Sequence, residues 1–84
     1  MWEVRRVTDG NIFSIVVNNE SEANGVYWGI VYKETILKDK KLKGEKLKEA
    51  ISALRKEMFM SEISSSSNNV VMAMEKYEKW ASQL

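Results

Sequence analysis

Hydrophobic positions along this chain change period near residue 37, from the two-residue alternation of strands to the 3.6-residue spacing of helices. Residues 2–8 mix Trp2, Val4 and Val7 with Arg5 and Arg6, then meet Asp9-Gly10-Asn11. Asp-Gly is a strong hairpin signal because glycine accepts positive φ without steric cost. Ile12 to Val17 follows as a β-branched and aromatic run typical of strands. A polar loop over residues 18–25, carrying Glu20 and Glu22, leads into VYWGIVYKETIL, residues 26–37, the longest strand candidate. Gly29 inside it reads as a bulge or a close approach of another backbone. Together these runs predict a three-stranded antiparallel meander.

Residues 45–63 repeat differently. Leu47, Ala50, Ile51, Leu54 and Met58 recur on one helical face, with Lys46, Lys48, Glu49, Lys56 and Glu57 on the flanks and back. Gly44 serves as a weak N-cap, and Glu45 in the first turn suits the helix dipole. Phe59, Met60 and Ile63 lie off the stripe, so the last turn is apolar nearly all round and needs a cover. SSSSNN, residues 64–69, reads as a linker, since Ser and Asn side chains compete for helical backbone bonds. Asn68 or Asn69 then caps an amphipathic helix over residues 70–84. In it Val70, Ala73, Met74, Tyr77, Trp80, Ala81 and Leu84 fill an arc of about 120°. The expected architecture is α+β in the order βββαα, one domain over residues 1–84. Its strand half is 1–37, with a Lys-rich connector over 38–44.

Strand alternation would place Trp28, Ile30 and Tyr32 on one sheet face and Tyr27, Gly29 and Val31 on the other. Phe13, Ile15 and Val17 would likewise oppose Ile12, Ser14 and Val16. Both faces then look apolar, whereas a sheet covered on one side alternates with polar residues. Either one helix covers each face, or one face awaits a partner, a second copy or stacked bases. The surface this predicts for a protein partner or for self-association as a homo-oligomer comprises Trp2, Tyr27, Val31, Phe59, Met60 and Ile63.

Composition narrows the chemistry. The 84 residues contain no His and no Cys. Ser-His-Asp and Cys-His arrangements, CxxC pairs, zinc fingers and HExxH sites are thereby excluded. Neither GxxxxGK[ST] nor GxGxxG occurs, nor does a DxDxDG calcium loop. Glu75 and Glu78 lie beside Lys76 and Lys79 and read as a solvated, ion-paired helix face. No catalytic residue, cofactor or metal is expected. Hydrophobic content of 44% with 30% charged residues fits a globular protein.

Net charge is only +1, yet residues 38–48, KDKKLKGEKLK, hold six Lys against two acids, a local charge of +4. That run is either a solvated connector or a set of phosphate contacts through Lys38, Lys40, Lys41, Lys43, Lys46 and Lys48. Met1-Trp2-Glu3 lacks the layout of a secretory signal, and no uncharged run approaches the roughly 20 residues a membrane span needs. A cytoplasmic location is the expectation. Asn19-Glu20-Ser21 spells a glycosylation sequon that a cytoplasmic protein would not use.

Two functions follow from these features. The first is a non-enzymatic interaction module that binds a protein or itself through an apolar, aromatic surface. In style it is akin to small accessory or inhibitory proteins of phage and mobile elements, with no motif behind the likeness. The second is single-stranded nucleic-acid binding, with sheet aromatics Trp2, Tyr27 or Trp28 stacking bases and the Lys-rich run taking phosphates.

Overall fold

Two of the expected strands pair as a tight hairpin, and the third arises from a different part of the chain. The structure, a computed structural model, describes residues 1–64 and 70–83. In chain order the elements are β1 (Trp2–Thr8), β2 (Asn11–Val17), α1 (Glu20–Glu34), α2 (Gly44–Arg55), β3 (Met58–Glu62) and α3 (Val70–Ala81). The class is α+β, with three antiparallel strands in one sheet and three helices, in the order ββααβα rather than βββαα. The strand order is β2-β1-β3, so β1 is central and each neighbour runs antiparallel to it.

The largest correction concerns residues 18–37. They were expected to be a loop and a strand and instead form α1 and its exit. Asn19 is the N-cap: its side chain accepts from the Glu22 N–H at 2.9 Å, and the Glu22 carboxylate accepts from the Asn18 N–H at 3.1 Å. This is a close variant of the capping box, which satisfies two backbone donors at the start of a helix. Ala23, Tyr27, Ile30, Val31 and Glu34 then share the inward face. Gly29 is a helical glycine and not a bulge.

The second correction is at residues 56–63. The helix expected to reach residue 63 ends at Arg55, and Met58–Glu62 becomes the edge strand β3. The N-cap of α2 is Lys43, not Gly44, and Lys43 offers no side-chain cap bond. The long amphipathic helix expected over 70–84 is present as Val70–Ala81, and the 64–69 linker lies outside the described residues apart from Ser64.

Register sorts the sheet into two faces. Trp2, Val4 and Arg6 align with Val17, Ile15 and Phe13 on one side and with Glu62, Met60 and Met58 on the other. This face carries the core of Val4, Phe13, Ile15, Val17 and Met58, closed by α1 residues Ala23, Tyr27, Ile30 and Val31, by Leu54 of α2 and by Tyr77 of α3. The opposite face, Glu3, Arg5, Val7, Ile12, Ser14, Val16, Phe59 and Ser61, has no helix packed on it among the described residues, although Val16 is buried at 5% exposure. Ile12 and Phe59 stay exposed there at 68% and 54%. Thus the helices do not divide between the faces.

Gly10 turns the β1–β2 hairpin at φ +83°, a left-handed conformation that costs a side chain about 1 kcal/mol or more. Gly10→Ala should lower the unfolding free energy by about that amount, read as a lower urea midpoint with an unchanged slope. An unchanged midpoint would show that the turn tolerates a Cβ.

Candidate functional site

Three groups with reactive side chains converge where β1, α1 and α3 meet. Arg6 faces the helices from the central strand, and its side chain is 7% exposed. Its Nε donates to Glu34 Oε2 at 3.0 Å and its Nη2 to Glu34 Oε1 at 2.8 Å, a two-pronged ion pair. Nη1 donates to the Val7 carbonyl at 2.6 Å and to Glu57 at 3.3 Å. The Tyr77 hydroxyl donates to Glu34 Oε2 at 2.7 Å. Above the guanidinium, the Trp80 ring lies 5.4 Å from Arg6 Cζ. Phe13 meets Tyr77 edge-on at 5.7 Å and Trp80 at 5.4 Å, tying α3 to β2.

This cluster is built to hold, not to move protons. Burial works against the Arg6 charge, but hydrogen bonds and attraction from Glu34, then Glu57, outweigh it and raise its pKa. Burial, followed by the hydrogen bond to Glu34 and that carboxylate's charge, pushes the Tyr77 phenol far above its usual range. A phenol held neutral offers neither base nor nucleophile at neutral pH. An open cleft of about 620 Å³, lined by Lys33, Leu37, Lys38, Glu78, Ala81 and Ser82, reaches Glu34. Both Glu34 oxygens are already taken by Arg6 and Tyr77. Among the described residues no buried side-chain polar atom lacks a partner, and no three metal-ligating side chains cluster.

Surfaces are more informative. The outer side of α1 carries Gly25, Trp28, Gly29 and Tyr32, and Ile36 follows past its end. Trp28 and Tyr32 are each 48% exposed. A Cβ built on Gly25 or Gly29 meets nothing within 4 Å among the described residues. Next to them, an open groove of about 450 Å³ runs between α1 and α3, lined mainly by Val17, Val26, Ile30 and Met74, with Glu22 and Lys33 at its rim. On the other flank, Arg55 of α2 is locked in place. Its Nε donates to the Tyr27 hydroxyl at 3.1 Å, and its Cζ lies 5.2 Å from the Trp28 ring and 6.0 Å from the Tyr27 ring. Lys48, Ser52, Arg55 and Lys56 line a further cleft of about 580 Å³ with Tyr27, Ile51 and Met58, and no carboxylate lines it.

The expected partner residues scatter across the fold. Tyr27 and Val31 are core residues at 9% and 4% exposure, because α1 turns them towards the sheet. Trp2 and Met60 are partly buried against the core on the helix-covered face, and Ile63 is also partly buried. Phe59 alone of the six is exposed, on the open sheet face. Tyr27 and Trp28 are helical, so the expected platform of sheet aromatics does not form. Lys38, Lys40, Lys41, Lys43, Lys46 and Lys48 are all exposed. Sequence reasoning missed Arg55, Tyr32 and the α1 glycines as surface features. The NESE cap at residues 19–22 was the signal that would have placed them.

No family model, curated protein or solved structure matches this chain. No described helix is long and apolar enough to cross a membrane.

The raised Tyr77 pKa has a testable sign. An unfolded phenol ionises near pH 10 whereas the folded one keeps its proton, so the contribution is complete below pH 10 and lost as pH rises beyond it. Tyr77→Phe should cost about 1.5 kcal/mol at pH 8 and lose less stability than wild type between pH 9 and pH 11. Equal losses in denaturant midpoints over that interval would contradict the Tyr77–Glu34 bond.

Proposed function

We propose that this protein is a non-enzymatic interaction module whose recognition surface is the outer face of α1. The observation that carries this reading is the composition of that face. Helices on a protein surface ordinarily turn charged or polar residues to water. Here the exposed residues of α1 include Gly25, Trp28 and Tyr32, with Gly29 half-buried beside them, between the polar Glu20, Ser21, Glu22 and Asn24 at one end and Lys33 at the other. A helix-interior glycine costs roughly 0.5–1 kcal/mol relative to alanine, and no described neighbour needs the space. Sacrificed helix stability beside exposed aromatic rings is what a surface kept open for close approach of another backbone looks like.

A second reading, single-stranded nucleic-acid binding, has one observation in its favour. The cleft of Lys48, Ser52, Arg55 and Lys56 lacks carboxylates, and its Arg55 is stacked beside Trp28. Oligothymidylate that quenches Trp fluorescence at low salt and releases at high salt would favour it.

The principal reading predicts that Gly25→Ala and Gly29→Ala each stabilise the isolated protein by roughly 0.5–1 kcal/mol. For a chain of this size that raises the melting temperature by about 4–8 °C per kcal/mol. A fall in melting temperature would show that the glycines serve the fold itself and would remove the main support for this surface.

A further inference from the structure

Resting on the docking surface just proposed, we infer that its partner is an acidic amphipathic helix, laid along α1 over Gly25 and Gly29. Shape comes first. The two glycines are one turn apart and form a low ridge, with the Val17–Val26–Ile30–Met74 groove on one side and Trp28 and Tyr32 standing on the other. A helix presenting apolar residues at i, i+3, i+4 and i+7 fills such a trough, because its backbone approaches closely over glycine while its side chains drop to either flank. An extended peptide would instead need a free strand edge, and α1 offers none.

Charge then selects the partner's sign. From Lys38 to Lys56 the chain carries seven Lys and Arg55 against three acids, a net +5, while the rest of the molecule sums to −4. All eight of these cations are exposed. Arg55 leans on Trp28, and Lys33 stands at the groove's rim. Lys33 pairs with Glu78 at 3.5 Å and Glu22 also lines the groove, so the uncompensated positive charge lies on the Trp28 side, at Arg55. Arg55 spends one donor on Tyr27, and its remaining guanidinium N–H groups have no protein acceptor among the described residues. A guanidinium fixed in orientation by two rings is ready for a two-pronged bond to a carboxylate. Phosphate would satisfy the same fork, but it gives no reason for the glycine ridge or the apolar groove.

The test uses the full chain, immobilised, and a display library of random peptides of about 20 residues, long enough to hold a helix. Selected peptides should combine apolar residues at helical spacing with an excess of Asp and Glu. Binding should fall at least about tenfold with Trp28→Ala/Tyr32→Ala and, separately, with Lys33→Glu/Arg55→Glu. Circular dichroism and a thermal melt of each variant confirm that it remains folded. Peptides lost with Trp28→Ala/Tyr32→Ala but indifferent to charge reversal would overturn the acidic partner and leave the docking face standing. No enrichment, or peptides indifferent to Trp28 and Tyr32, would overturn both. Oligothymidylate that displaces the selected peptides and binds more tightly would overturn the helix in favour of nucleic acid.

Discussion

A guanidinium buried under the middle of the sheet is the constraint from which the rest of this structure follows. β1 is hydrogen-bonded on both sides, so its alternation is fixed, and that alternation turns Arg6 into the core with Trp2 and Val4. A charge placed there requires an opposite charge and saturated hydrogen bonds. Glu34 supplies them from the last turn of α1, setting how that helix is rotated and where along the sheet it stops. Tyr77 bonds the same carboxylate from α3, so one ion pair positions two helices on one strand. Such pairs contribute less net stability than apolar groups of equal volume, yet losing one partner costs several kcal/mol. Their value here is geometric.

That geometry decides what remains for function. Among the described residues, the tightly convergent set of titratable groups is consumed by the fold, and no buried side-chain polar atom in it lacks a partner. Because Glu34 ties the inner face of α1 to β1, the outer face is presented to solvent along its length. Trp28 there packs edge-on against the core residue Tyr27 at 5.2 Å, while Tyr32 stands half exposed. Arg55 extends the surface by stacking on Trp28 and brings positive charge to it. On the reading proposed above, recognition rests on surface complementarity at the outer face of α1.

Much of this arrangement is legible in the residues, and the failures have physical causes. The hairpin follows from Asp9-Gly10 and its flanking alternation, and α3 from a clean apolar stripe. α1 hides because Trp28 and Tyr32 make it apolar on the outside as well, blurring the 3.6-residue contrast that marks a surface helix. Only the Asn19–Glu22 cap betrays it. β3 hides because Met58 falls in phase with the stripe of α2, so the switch to a two-residue period goes unseen for want of length. The parity of Arg6 with Val4 is readable in the chain, but its partner lies 28 residues away and no local rule connects them. Two residues of the candidate surface, Tyr27 and Val31, are buried for the same reason. Assigning Tyr27 and Val31 to a strand put outside what a helix turns inward.

A double-mutant cycle on Arg6 and Glu34 probes the organising role of the buried pair most directly. Arg6→Met and Glu34→Leu should each destabilise by about 3–5 kcal/mol, leaving a lone buried charge, while the double variant should lie within about 2 kcal/mol of wild type. The coupling recovered from urea unfolding would then be at least about 3 kcal/mol. Additive losses of about 1 kcal/mol or less apiece would contradict the account, because the helices would then be positioned by apolar packing alone.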